Sequence, residues 1–229
     1  TQINLASDDQ YGKYGFSPEI LLKSVEEPID ELWKRMINIL GKLKPPFKGL
    51  VTTIFDLYKK KIQMMPASIH HHHPVQGGFL KHLVTTAEIA LENIKHYPSL
   101  DRDLALAGIL LHDIGKVKSI NNDLVPDHTD EGKLIGHIVL GRDIVIETAG
   151  AMKKIPEDIL IKLEHIILSH QGSSEKGSVT SPKFPEALFV HYIDELDGRM
   201  NQMLNAIEDD PNLSWTDRHN LFRHELYKK

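Results

Sequence analysis

Cysteine is absent from all 229 residues, which excludes disulfides and thiolate metal sites and fits a cytoplasmic setting. Long apolar runs are absent too. The longest, around Leu104 to Leu111, suits a buried helix and is too short to cross a membrane, so no membrane partner is expected. No stretch has the make-up of a signal peptide, although the chain opens at Thr1 and is read as trimmed there. Sustained strand alternation and internal repeats are also missing, and the class expected is all-α. There is no excess of positive charge. At a net charge of −5 no global basic field draws in a polyanion, which would have to be met by local basic groups or by a metal. Nor is there a Cys nucleophile, a Gly-x-Ser-x-Gly turn, a Walker loop or a dinucleotide fingerprint. Thr52-Thr53 and Thr85-Thr86 have no adjacent base pattern that would make them nucleophiles. With 41% hydrophobic and 26% charged residues, the chain is an ordinary globular one with a single sizeable core.

Histidine, by contrast, is abundant, at 14 residues. The most informative pair is His112-Asp113 in Gly108-Ile-Leu-Leu-His-Asp-Ile-Gly-Lys116, directly after the apolar run. Adjacent side chains cannot share one helical stripe, so the pair belongs at the buried end of a helix, turned toward one divalent ion. Imidazole with carboxylate suits Zn, Mn, Fe, Ni or Co. Gly115 is expected to let the backbone turn there, and Lys116 to bring a cation to the same spot. His82, His137, His170 and Asp194 sit among aliphatic residues, where an unpaired charge is costly and a metal ion would supply the partner.

Helical patterning is expected from Ser17-Pro18 onward, after a polar tail or linker remnant at 1–16. Leu32, Met36, Ile39, Leu40 and Leu43 form one stripe that Lys44-Pro-Pro46 ends. A helix from Lys48 to Met64 is basic on one face through Lys48, Lys59, Lys60 and Lys61, a solvated face with phosphate contact as the alternative. His70 to His73 form an internal tract, readable as a metal-scavenging loop, that leads into Gly77-Gly78 and a strongly periodic helix carrying His82. Asp101 or Asp103 caps the helix leading to His112. A polar loop spans Ser119 to Thr129, one helix runs from Asp130 to Thr148 through His137, and another from Ile159 to Ser169 ends at His170. Gly172 to Pro185 reads as a cleft-lining loop, and the last helix, Pro185 to Asn205, carries Asp194 and Asp197.

His82, His112, Asp113 and Asp194 would bind one ion and leave positions open. His137 and His170 could complete a second, with Asp113 bridging. Two ions about 3.5–4 Å apart suit in-line displacement at phosphorus, with Lys116 neutralising a phosphate oxygen. His165, five residues before His170, is read as structural.

The set His82, His112-Asp113 and Asp194 resembles the HD superfamily of metal-dependent phosphohydrolases, named for this doublet. The ordered series His72-His73-Pro-Val-Gln-Gly-Gly-Phe-Leu-Lys-His82, Tyr97-Pro-Ser-Leu-Asp-Arg-Asp103, Thr129-Asp-Glu-Gly-Lys-Leu-Ile-Gly-His137, Ile167-Leu-Ser-His170 and His191-Tyr-Ile-Asp-Glu-Leu-Asp197 is similar to the YhaM-type 3'-5' exoribonuclease branch, as is Trp215-Thr-Asp-Arg218. The resemblance covers roughly residues 20 to 225. It implies an HD-domain helical bundle with the metal ligands His82, His112, Asp113, His137, His170 and Asp194, and with Asp113 and Lys116 acting in catalysis. It also implies two divalent ions, Mn or Co favoured over Fe, Ni, Zn or Mg. The substrate implied is single-stranded nucleic acid or a nucleotide, cut from the 3' end to nucleoside monophosphates. Residues 17–66 would be helices packed on an HD domain at 67–229. That branch carries an N-terminal OB-fold domain, for which residues 1–16 are too short, so the chain is read as a trimmed form, a fragment or a stand-alone HD protein. Gln171 stands where the family often has a second histidine. The alternatives are a phosphohydrolase of nucleotides or cyclic dinucleotides, a relaxase-like DNA-processing domain (which Met65-Pro-Ala-Ser and His70 to His73 also resemble), and a degenerate HD binding module. The last is disfavoured because no ligand position is missing.

Overall fold

The computed structural model describes residues 23–69, 73–121, 126–152 and 155–228. The expected tail at 1–16, the helix start at Ser17-Pro18, His70 to His72 and part of the Ser119 to Thr129 loop lie outside the described residues. Nine α-helices run through the rest: α1 (Ile29–Gly41), α2 (Phe47–Met64), α3 (Gly78–Asn93), α4 (Arg102–Leu111), α5 (Lys116–Ser119), α6 (Asp130–Leu134), α7 (His137–Met152), α8 (Glu157–Ser169) and α9 (Pro185–Glu208). Among the described residues extended pairing is limited to three isolated bridges, so the all-α expectation holds.

The bundle is organised around α4. Every residue from Leu104 to Leu111 is buried, as expected of a helix apolar on all sides. Helices α2, α3, α8 and α9 all pack against it. Gly108 sits where side chains of both α8 and α9 press on α4. A β-carbon there would stand 2.9 Å from Ile166 Cγ2 and 3.1 Å from Val190 Cγ2, so the absence of a side chain sets that packing. The side chain of Asp101 accepts from the backbone N–H of Asp103 and Leu104 and starts the helix, which settles the choice between the two aspartates. The stripe Leu32, Met36, Ile39, Leu40 and Leu43 is buried in the same core as α3 and α4, which ties the N-terminal helices to the bundle.

One local expectation needs correction, and another a different physical reason. The segment from Asp130 to Thr148 is not one helix. It breaks at Ile135-Gly136, where Gly136 takes a φ of +84°, a left-handed conformation that favours glycine. His137 therefore begins α7 instead of lying inside a helix. The backbone does turn over 112–115, but Gly115 keeps an ordinary right-handed conformation there, φ −62° and ψ −16°, so the turn does not need glycine's dihedral freedom. Its role is close approach, because a β-carbon would fall 1.9 Å from the carbonyl oxygen of His137 and 2.4 Å from Gly141 N. That contact lays the start of α7 against the His112-Asp113 turn.

Candidate metal centre

All six expected ligands converge where α3, α4, α7, α8 and α9 meet. His112 is the C-cap of α4 and His170 the C-cap of α8. Each folds its ring back over the last turn, so that Nδ1–H donates 2.7 Å to the carbonyl three residues earlier, Ile109 O and Ile167 O respectively. Those carbonyls are among the ones a helix end leaves unpaired. The bond fixes the tautomer and aims Nε2 inward. His82, wholly buried on α3, is oriented through Nδ1, 2.7 Å from Asp197 Oδ2.

The inward atoms form two clusters that share Asp113, with the members of each within 4.8 Å of one another. In the first, His82 Nε2 lies 3.3 Å from His112 Nε2 and 3.4 Å from Asp194 Oδ1. His112 Nε2 is 3.4 Å from both Asp194 Oδ1 and Asp113 Oδ2, and Asp113 Oδ2 is 4.0 Å from His82 Nε2. Ligand atoms placed about 2.1 Å from a shared centre in a tetrahedron stand roughly 3.4 Å apart, so this donor set fits one ion. In the second cluster, Asp113 Oδ1 is 3.3 Å from His137 Nε2 and 3.5 Å from His170 Nε2. Asp113 Oδ1 and His137 Nε2 are both enclosed and lack a hydrogen-bond partner, which also fits a cation between them.

The electrostatics agree. Burial pushes the His112 imidazolium toward the neutral form, but Asp113 and Asp194 outweigh it and raise the group to about 10. His82 is likewise raised, burial being outweighed by Asp194 and Asp197. Burial would lift the Asp113 carboxyl, yet Lys116 and His112 hold it well below the usual range. Asp194 is held low against burial by His112 and His82. His137 goes the other way, lowered chiefly by burial despite Asp113, which favours the neutral form that can ligate. The proton held on His112 stands where a metal cation would otherwise balance the carboxylates.

Lys116 Nζ reaches Asp113 Oδ2 at 2.5 Å, at the floor of a cleft of about 570 Å³. Asp113, His137, Gln171 and Asp194 line the floor, and Lys176, Glu195 and Arg199 the rim. Glu195 pairs with Lys176 at 3.0 Å and with Arg199 at 3.1 Å. None of Lys48, Lys59, Lys60 and Lys61 is among the described residues lining the cleft. Lys61 Nζ instead donates to Val117 O, and Lys59 lies over the Trp33 ring. His165 accepts from Lys183 N at 3.0 Å, outside both clusters.

Sequence reasoning missed the supporting residues. Asp197 links His82 to His73, 3.1 Å away, and His191 Nδ1 lies 2.7 Å from His170 O. The signal for Asp197 was its place three residues after Asp194, on the same helical face. His73 was visible only as part of the His70 to His73 tract and His191 only as part of the His191 to Asp197 motif, with nothing local to assign either its partner.

The sequence model of the HD domain family matches residues 79–199, the stretch that holds all six of these residues. The chain belongs to the HD domain family. A second family model, described as a putative helicase, matches residues 19–99. Beyond its family, the HD chain is 37% identical over 191 residues to a Bacillus pumilus protein named 3'-5' exoribonuclease YhaM, covering 82% of this chain and 60% of that one. A Bacillus subtilis protein of the same name is 36% identical over 189 residues, with the same coverage. One from Oceanobacillus iheyensis is 34% identical over 205 residues, covering 90% of this chain and 61% of its own length. The HD chain thus spans about 60% of the length of the curated relatives it matches. No solved structure matches it.

Proposed function

We propose that this chain is a metal-dependent phosphodiesterase that removes nucleoside monophosphates from the 3' end of single-stranded RNA or DNA. The observation that carries the reading is the pair of His/Asp clusters joined through Asp113 at the floor of a cleft that Lys116, Gln171, Lys176 and Arg199 also line. The relatives' shared name supports the reaction class and the 3' polarity. His82, His112, Asp113 and Asp194 would hold one divalent ion, and Asp113, His137 and His170 a second. Mn or Co is favoured by the resemblance, and Fe, Ni, Zn and Mg are compatible with the N/O donor set. When bound, such ions supply Lewis acidity toward phosphate and a water acidic enough to ionise near neutral pH.

The protein's own groups do the rest. Asp113 and Lys116 are the catalytic residues of this proposal. Lys116 Nζ, held by Asp113 at the cleft floor, neutralises a non-bridging oxygen of the scissile phosphate. Lys176 and Arg199, shared with Glu195, present N–H donors to a neighbouring phosphate along the strand. Asp197 keeps the His82 tautomer with Nδ1 protonated and Nε2 facing inward. The apolar wall behind His112 and His170 keeps bulk water from the far side of the cluster. The N-terminal helices belong to this reading as a packed extension of the HD domain, residues 17–66 on 67–229. Its setting is the cytoplasm, with which the cysteine-free composition is consistent.

A second reading draws on the putative-helicase match, which covers α1 to α3 and His82 but none of the other ligands. It makes DNA the substrate to compare with RNA. The test is hydrolysis of a 5'-labelled single-stranded RNA and a matched DNA with Mn, comparing wild type with Asp113→Ala. A ladder shortening from the 3' end and absent in the variant is expected. An intact oligonucleotide would exclude the exonuclease reading and turn attention to mononucleotides and cyclic dinucleotides.

A further inference from the structure

The two clusters differ in how their histidine acceptors are used before any ion arrives. In the first, His82 and His112 both commit Nδ1 to an oxygen, Asp197 Oδ2 and Ile109 O. With Nδ1 carrying the proton, each Nε2 presents a lone pair, and the two lone pairs face each other across 3.3 Å. Two such lone pairs do not face each other bare, so the cluster calls for a cation between them, a proton in ion-free protein or a metal ion when one is bound. Four donors surround the place where it would sit.

In the second cluster the requirement is already met in part by a neutral group. His170 Nδ1 donates to Ile167 O, so Nε2 is an acceptor, and the Gln171 amide lies 2.9 Å from it. This settles which end of the carboxamide faces the ring: its NH₂ donates to Nε2. Only Asp113 Oδ1 and His137 Nε2 are left without hydrogen bonds. An ion entering here satisfies those two atoms but must first displace Gln171 from His170. Gln171 is half-buried and lines the cleft, so its carboxamide has open space to swing into.

We propose that Gln171 is a latch on the second metal position, so that the chain retains one ion firmly at His82, His112, Asp113 and Asp194 and takes up the second reversibly. This rests on the metal-centre reading above and extends it to the order of loading. The His170–Gln171 bond is an ordinary neutral hydrogen bond, so its removal tightens the second step by about two- to tenfold.

The test uses the full chain stripped with chelator and titrated with Mn²⁺ alone by calorimetry. Bound Mn is counted after desalting, and coupling between paired Mn ions is read by electron paramagnetic resonance. Wild type is expected to keep about one Mn through desalting and to show the coupled signal only at higher Mn. Gln171→Leu, similar in bulk but without the amide, is expected to tighten the second step about two- to tenfold and leave the first unchanged. The unchanged first step also reports that the variant is folded. Two equally tight steps in wild type overturn the latch, as does a second step that Gln171→Leu leaves alone or weakens. The weakening would make Gln171 a ligand instead of a competitor. Failure of wild type to bind Mn at either step overturns the metal-centre reading itself, before any variant is made.

Discussion

His82 and His170 are both fully buried, yet the two ends of the centre they serve are built differently. At the His82 end, the ring is braced by a carboxylate, Asp197, and faces another imidazole and two more carboxylates. At the His170 end the ring is braced by a backbone carbonyl and faces a neutral amide, one carboxylate oxygen and the half-open start of α7. The first end concentrates negative charge away from water and requires a counter-cation. The second trades charge for access, since His137 and Gln171 line the cleft where a substrate phosphate would lie. A closed side that holds an ion and an open side that meets the substrate can therefore share one carboxylate, Asp113, without the same affinity on both sides.

The largest way to break this comparison is to remove the shared group. Asp113→Asn is expected to lower single-turnover hydrolysis by at least about a thousandfold while leaving the fold intact by circular dichroism. A loss smaller than about tenfold would show that the two clusters are not coupled through this residue.

Next in size is the brace at the closed end. Asp197→Asn is expected to weaken first-step Mn affinity by about 10- to 100-fold. Calorimetry showing a loss confined to the second step would reverse the assignment of ends.

A third prediction concerns pH. His112 is raised from 6.5 to about 10, so its share of stability in ion-free protein is complete below pH 6.5 and is lost as pH rises toward 10. The Asp113 and Asp194 carboxyls are lowered from 3.8, so their share is present above that pH and is lost on acidification. The Tm of chelator-treated protein is thus expected to fall between pH 6.5 and 9. Mn should reduce that fall, because the ion takes the place of the protons. A chelated protein with equal Tm at both pH values would count against a charged His112.

The smallest effect belongs to the rim. Arg199→Ala is expected to raise KM for a single-stranded RNA about three- to tenfold with kcat little changed, and to lower the salt slope of binding by about 0.7. An effect on kcat alone would move Arg199 from strand binding to the chemistry.

Much of this was legible in the chain. A helix that buries every residue from Leu104 to Leu111 must end at His112-Asp113 inside the protein, because the apolar run leaves it no surface. The six candidate ligands could be picked out as histidines and aspartates set among aliphatic residues. Less legible were interactions that depend on where two helices touch. His191 supports the carbonyl of His170, and Gly172 leaves room for its ring, a relation between residues from different elements. The reason for the glycine at position 115 was hidden for the same cause. A glycine required by a neighbour's backbone looks, in one dimension, like a glycine required by its own dihedral angles.

By itself, then, the sequence determined the helical class, the buried helix at the centre of the bundle and the identity of the metal-seeking side chains, since periodicity, capping residues and donor chemistry are properties of short stretches. Only the tertiary structure decided that these donors divide into two unequal clusters, with Asp113 between them, Asp197 behind one and Gln171 against the other. Which atom of a ring or carboxylate points where is settled by hydrogen bonds made across helices that lie up to 115 residues apart in the chain.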